Sequence, residues 1–463
     1  MSFLQKSNAT SMLNEQAEHW KSVENNHTFG ILNSTTYTTK ALLLGSGELG
    51  KEIAIELIRL GIKVCAADSY ANAPAMQVAQ ENRVLDMSDS KKLQELINNI
   101  NPNIIIPEVE AISTEVLKDV VKNKKIQVVP SSSITSIAMD REALRKIAHE
   151  KIGLPTTPYC FASNYKELEI GAKKVGYPCV VKPIMSSSGH GQSIVKDPKN
   201  LEDAWIEAQN GRRSKHKTQN LQSEDSKNNE DSKNNEDISR VIVEALAPLD
   251  YELTVLTVCS SAGITTCEPI AQCQENGDYR QSWQPANIPE NVRESAQNIA
   301  KKAVEGLSKI AKENGETGWG IYGVELFVLK NGDLLFNELS PRPHDTGMVT
   351  MISQYYSEFA LHVLAILGVP ITQKHTALCL KDNEVALSHA LVVQGNGAVG
   401  FTNLAQALDE EDCARCDIRI FGKPEVHSSR RMGVILTVSN SVNDAKSCAT
   451  RIASKIRTVE LPS

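Results

Sequence analysis

The chain has 463 residues, 41% hydrophobic and 23% charged, the composition of a globular protein of about three domains. At 50.7 kDa it can bury about three quarters of its unfolded surface, so its stability requires no disulfide or metal staple. Lys+Arg 49 against Asp+Glu 56 leaves a net charge of −7, which argues against nucleic-acid and membrane partners but leaves room for a local basic pocket.

Residues 1–38 are rich in Asn, Ser, Thr and Gln without sustained period and read as a loosely ordered extension. They carry Glu15, Glu18 and Glu24, no Arg, and no apolar run behind a basic start, so neither a secretory signal nor a transit peptide is expected. From residue 39 to 139 strands alternate with helices. Strands are expected at Ala41–Leu44, Lys63–Ala67 and Asn103–Ile106, and one ends at Val128 and Val129. Helices are expected at Leu49–Leu60 and Lys91–Ile97. Such alternation implies a parallel sheet covered on both faces. Gly45-Ser-Gly-Glu-Leu-Gly50 joins a strand to a helix, and Asp68 ends the next strand, the spacing of a dinucleotide fingerprint. Glu48 inside the loop is awkward for a pyrophosphate and suits an amine or ribose hydroxyls.

A second region, 140–368, opens with a helix over Arg141–Lys151 that stops at Gly153 and Pro155. Arg141 can meet a phosphate or simply a carboxylate. Paired strands Cys179–Lys182 and Gln192–Val195 flank a Ser/Gly loop, a flap suited to phosphates with Lys182 supplying charge. It is no P-loop, because the G-K-[ST] ending and the following helix are missing. Residues 211–238 are of low complexity and hold a tandem Glu-Asp-Ser-Lys-Asn-Asn repeat from Glu224 to Asn235, read as a solvated insertion. Strands resume at Arg240–Glu244 and Glu252–Val258, and Glu244 could accept an adenine amino group. A long helix, Val292–Glu313, precedes the hairpin Gly323–Leu339. Asn331-Gly332 is a strong hairpin turn signal. With those two residues as the turn, Phe327 faces Phe336, Leu329 faces Leu334, and Glu325 faces Glu338. Opposed carboxylates repel, and a divalent cation between them removes the conflict; all-oxygen ligation completed by phosphates and water suits Mg²⁺. Ser340-Pro-Arg-Pro-His-Asp-Thr-Gly347, following at once, reads as a substrate wall. The third region, 369–463, has short strands at Ala390–Val393, Ile418–Phe421 and Gly433–Val438 and a helix over Val442–Ile456, a small β-rich closing domain. The ten cysteines are scattered. Cys413 and Cys416 form a C-x-x-C without a second pair and read as packing, in a reduced, cytoplasmic setting.

Assembled, these segments resemble the ATP-grasp superfamily and, within it, the formate-dependent phosphoribosylglycinamide formyltransferases. The carrying stretches are LLLGSGELGKE at 42–52, IIPEVEAI at 105–112, YPCVVKPIMSSSG at 177–189, GDYRQSWQP at 277–285, GVELFV at 323–328, NELSPRPHDTGMVT at 337–350, SEFALHV at 357–363, FGKPE at 421–425 and SRRMGV at 429–434. The resemblance implies a mixed α/β multidomain chain: a pre-ATP-grasp parallel-sheet domain, an ATP-grasp domain and a small C-terminal β-rich domain. It implies that formate and MgATP give formyl phosphate, which the amine of phosphoribosylglycinamide attacks, in purine synthesis. Carried over residue by residue, ATP would meet Arg141, Lys182, Ser187, Ser188, Gly189, His190, Gly191, Gln192, Glu244, Ala245, Leu246, Ala247 and Glu252. Mg²⁺ would meet Glu325 and Glu338. The ribotide would meet Glu48, Leu49, Glu108, Asp345, Lys423, Arg430 and Arg431, with Lys182 and Asp345 closest to the chemistry. A homodimer is implied as well. His190 stands where the family pattern has lysine. A sister ATP-grasp enzyme carboxylating an aminoimidazole ribotide is the alternative reading, and an NAD-dependent oxidoreductase loses ground because no hydride-transfer constellation accompanies the glycine loop.

Overall fold

The computed structural model describes residues 31–33, 36–37, 39–124, 126–184, 191–210, 240–275, 278–410 and 413–460. The N-terminal unit is the expected parallel sheet. Its strands run in the order Glu81–Val84, Lys63–Asp68, Lys40–Leu44, Ile104–Pro107, Gln127–Val128. The runs do not alternate in polarity because both faces are covered. Leu43, Val64, Ile104 and Ile106 pack beneath the helix Glu48–Arg59, through Ile53 and Leu57. Leu42, Leu44 and Ile105 pack on the opposite face with Leu93, Ile97 and Leu117. Lys40–Leu44 lies between strands that lead away in opposite directions. The glycine loop and Glu108 therefore sit at the C-terminal ends of adjacent strands at a switch point, where open α/β sheets leave a ligand crevice.

The helix expected over Arg141–Lys151 is α-helical only to Lys146. Ile147–Lys151 widens into a π turn, with the Ile152 N–H bonding back to the Ile147 carbonyl, before Gly153 enters the left-handed region at φ +79°. A four-stranded antiparallel sheet follows, ordered Ser193–Val195, Cys179–Pro183, Val241–Ala245, Tyr159–Ala162. Cys179, Val181, Val241 and Val243 face its helices Tyr165–Val175 and Leu201–Asn210. The strand period of two turns Lys182 and Glu244 to the other side, toward the cleft.

The central sheet is continuous across the boundary where composition suggests a separate closing domain. Its path is Leu334–Ser340, Gly320–Leu329, Leu249–Ser260, Ile270–Glu275, Asp278–Gln284, Val385–Gly397, Val426–Ser439, Arg415–Ile420. Pairs from Gln281↔His389 to Gln284↔Ala386 make the join. The helix Glu290–Glu313 covers one face through Ala296, Ala300, Val304, Leu307 and Ala311. Cys413 is bonded to Cys448 on the helix Val442–Lys455 rather than serving as a packing thiol, so the C-x-x-C does not close on itself; Cys416 stays a thiol packed in the same apolar cluster. The flap residues Ser187, Ser188, Gly189 and His190 and the tandem repeat lie outside the described residues. Among the described residues no helix is long and apolar enough to cross a membrane.

Candidate active site

Glu325 does pair with Glu338, but the route differs from the simple two-residue turn. The turn takes in Leu329 to Asp333, with Gly332 at φ +87°, and slips the register by one, so that Leu326 faces Phe336 and Val328 faces Leu334. A bulge at Asn337 restores it. Phe336 and Glu338 would otherwise share a face; the bulge sends Phe336 into the core and Glu338 to the side of Glu325. Phe336 and Leu334 are therefore not neighbours of the carboxylates, as the unbulged register requires. On the next strand Thr254 lies opposite Glu325, and Glu252 follows on the same face, accepting from Gln272 Nε2 at 2.9 Å and Gln274 Nε2 at 3.2 Å. Burial, and then the Glu325 charge, push the Glu252 carboxyl up.

The bulge also leaves the Asn337 carbonyl free of the ladder, and Arg145 Nη2 takes it at 3.1 Å. Arg145 Nη1 reaches Glu244 Oε1 at 2.6 Å while Lys182 Nζ meets Glu244 Oε2 at 2.8 Å, and Thr157 Oγ1 donates to the same carboxylate at 3.2 Å. The Glu244 side chain, which the sequence offers as an adenine acceptor, is thus engaged by two cations and a hydroxyl. Burial raises it, but Lys182 and Arg145 outweigh burial and hold it down at about 2. Arg141, Leu144, Arg145, Lys182, Asn337 and Glu338 line one polar cleft, which brings three residues named from sequence together with Arg145, which was not. Arg141 Nη1 donates to the Pro183 carbonyl. Gly191 is buried at φ +74° and Gln192 exposed. Leu246 is exposed and half-buried Ala245 and Ala247 flank it, with the Ala245 and Leu246 N–H groups donating to the carbonyls of Pro158 and Pro178.

Across the cleft the glycine loop is already occupied. Ser46 N–H donates to Asp68 Oδ2 at 2.7 Å and Ser46 Oγ to the Ala67 carbonyl. Asp68 thus takes one loop N–H that a pyrophosphate could otherwise use, which counts against the dinucleotide reading. Leu49 is buried in the core beneath the sheet, so its side chain cannot meet a ligand. Glu48 Oε1 accepts from Lys423 Nζ at 2.8 Å and Arg431 Nη2 at 2.9 Å, and Arg431 Nη2 also reaches Asp345 Oδ1 at 2.6 Å. Burial works to raise Glu48 and Asp345, but the cations beside each outweigh it and both end lowered. Arg430 donates to the Glu425 carbonyl at 2.7 Å.

The segment after the hairpin joins the halves. His344 Nε2 lies 2.8 Å from Glu325 Oε1, and its next neighbour Asp345 touches Arg431. Arg342 reaches Glu110 at 3.1 Å and Glu108 at 3.9 Å. Beneath the segment, fully buried Glu358 accepts the His344 N–H at 2.8 Å and fills the space over Gly347, where any Cβ would collide with it.

Burial raises Glu108 to about 8, against Arg342 and with Glu48, Asp345 and Asp68 adding to it. An acid whose folded value exceeds its ordinary 4.5 binds its proton more tightly when folded. Stability is then greatest below pH 4.5 and is lost as pH rises toward 8. Glu108→Gln should melt above the parent at pH 8 and converge with it near pH 5; a variant melting lower at pH 8 would refute the assignment.

Family comparison agrees with this geometry. A ribonucleotide synthetase preATP-grasp domain model matches residues 39–139, an ATP-grasp domain model 147–359 and a "PurT, C-terminal" model 386–456. The formate-dependent phosphoribosylglycinamide formyltransferase of Bifidobacterium adolescentis is 59% identical over 90% of this chain and 98% of its own. That of Vibrio parahaemolyticus is 45% identical over 93% and 100%. The solved glycinamide-RNase-transformylase T of Mycobacterium tuberculosis superposes with a TM-score of 0.67 at 27% identity, covering 90% of this chain and 100% of that one.

Proposed function

The chain belongs to the family of formate-dependent phosphoribosylglycinamide formyltransferases, and from that premise we propose how its cleft formylates the ribotide with ATP and formate. Carboxylates directly opposed across a hairpin fit Mg²⁺, an ion that takes its remaining ligands from phosphate and water. Glu325 and Glu338 would hold it, and when bound it supplies charge neutralisation on the phosphates.

Lys182 and Arg141 line the same cleft as Glu338 and would meet the phosphates there, with Lys182 kept in place by Glu244. A formate oxygen bonds to the γ-phosphorus as the bond to ADP breaks, giving formyl phosphate. The ribotide amine then attacks the formyl carbon and inorganic phosphate leaves. Glu48 and Asp345, both held ionised, would face the amine as carboxylates. Glu108, raised to about 8, is largely a neutral acid at pH 7, and its ionised form, which grows toward pH 8, would accept the amine's proton as the nitrogen becomes nucleophilic. Excluding water keeps the mixed anhydride from hydrolysis. We also place the enzyme in the cytoplasm as a homodimer, which sedimentation would test.

The observation that carries this reading is the single segment 342–345, whose His344 touches a metal-side carboxylate while Asp345 touches the ribotide side. ADP release from ATP and the ribotide should depend on formate. Release stimulated by bicarbonate and an aminoimidazole ribotide instead would point to the carboxylase.

A further inference from the structure

The helix Glu358–Ile366 lies under the segment 342–347 and contributes no group to the reaction proposed above. Its first residue, Glu358, is nevertheless tied to that segment at several points. Carboxyl Oε2 accepts the His344 N–H at 2.8 Å. The Glu358 N–H donates to Thr350 Oγ1 at 2.8 Å, and that hydroxyl donates to the Gly347 carbonyl at 2.6 Å. The carboxyl occupies the place of a Gly347 side chain: a Cβ there would stand 2.1 Å from Oε2 and 2.4 Å from the carboxyl carbon. Oε1 is buried with no hydrogen-bond partner among the described residues. Burial pushes this carboxyl well above the usual carboxylate range, with the His344 N–H and Arg342 opposing and Asp345 adding. Glu358 is therefore a neutral acid at neutral pH.

The segment it supports faces two ways. His344 Nε2 meets Glu325 at 2.8 Å on the metal side, and the next side chain, Asp345, meets Arg431 at 2.6 Å on the amine side. Glu358 holds the backbone just before Asp345. Fully buried Ser282 holds it just after, its Oγ donating to the Thr346 carbonyl at 2.7 Å. Two separate elements thus bracket Asp345. An apolar residue at 358 would leave the His344 N–H unpaired in the interior. An ionised one would add a buried negative charge next to Asp345, which costs more still. A neutral carboxyl accepts the amide and leaves the neighbouring cations to the site.

We propose that Glu358 is a positioning residue for the transfer step. Through the His344 amide and its packing on Gly347 it sets the register between His344 and Asp345, so that formyl phosphate forms where the amine can reach it. Buried beneath the segment, Glu358 itself meets neither substrate. This rests on the reaction proposed above and adds to it a residue that acts through two others.

The test measures formate-dependent ADP release and formylated ribotide side by side. Wild type should release one ADP per product. Glu358→Met fills the same volume without an acceptor oxygen. It should form product about 10- to 100-fold more slowly, because an interior amide is left unpaired and the segment shifts. ADP release should fall less, because the phosphate side of the cleft is untouched, so ADP per product should rise at least about threefold with the ATP KM within about twofold of wild type. Glu358→Gln keeps an uncharged acceptor for the His344 N–H and should restore product formation to within about threefold of wild type, at one ADP per product. Gly347→Ala displaces the carboxyl without removing it and should uncouple as Glu358→Met does, and it carries the comparison if the methionine variant does not fold. ADP and product falling in step in both Glu358→Met and Gly347→Ala would overturn the positioning role, since a merely structural loss lowers both alike. A Glu358→Gln enzyme as uncoupled as Glu358→Met would overturn the neutral-acceptor argument. Wild-type enzyme without formate-dependent ADP release would instead defeat the reaction itself, a separate outcome.

Discussion

Glu338→Gln should abolish turnover and leave the fold as stable as before or more so. Glu338 faces Glu325 across the hairpin, so neutralising it relieves a repulsion in the absence of ligand while removing half of the protein's metal ligation. Loss of one of two carboxylate ligands costs several kcal/mol of transition-state stabilisation, or at least about 10³-fold in kcat. Glu325→Gln should lose turnover to the same degree, but its stability should differ. Glu325 also binds His344 at 2.8 Å, an interaction strong enough to hold its carboxyl low despite burial, so this variant should lose on the order of 1 kcal/mol where Glu338→Gln loses none. Unfolding curves with and without MgATP separate the effects: wild type gains stability from the nucleotide, and both variants gain much less. Wild-type turnover in either would remove the metal from the hairpin.

The opposition of those glutamates was legible because Asn331-Gly332 announces a turn and strands have a period of two. The bulge was not legible. Turn length sets register, and Leu329–Asp333 closes a longer loop than the dipeptide suggests. Its compensation at Asn337 depends on a carbonyl satisfied by Arg145 from a distant helix. Arg145 itself left a faint trace. It lies between Leu144 and Ala148 on the buried face of its helix, where a guanidinium needs a reason to be. Glu358, opening the run Glu358–Ile366 that is otherwise apolar but for His362, is the same kind of signal. What the sequence does not show for Leu49 and Glu244 is where their side chains go: Leu49 packs into the core and Glu244 pairs with Arg145 and Lys182. The chain order lists candidates, and the packing says how their side chains are engaged.

That packing makes Glu244 the residue whose loss should destabilise the molecule most. Its side chain is 4% exposed, as is that of Arg145, and that of Lys182 is 16% exposed. Glu244→Gln would leave two buried cations sharing an amide, and breaking such a pair from one side costs about 3–5 kcal/mol. The pH dependence has a defined sign. The folded value of about 2 lies below the ordinary 4.5, so the stabilisation is fully present above pH 4.5 and is lost as pH falls from 4.5 toward 2. The gap in melting temperature between wild type and Glu244→Gln should be widest at neutral pH and close through that acid range. Arg145→Met should reproduce much of the loss at neutral pH, because it too leaves a buried charge with one partner fewer and also orphans the Asn337 carbonyl at the bulge. A different result would restore the sequence-level reading. If Glu244→Gln melted like wild type and raised only the KM for ATP, its carboxylate would be reaching the nucleotide rather than holding Lys182 and Arg145 in place.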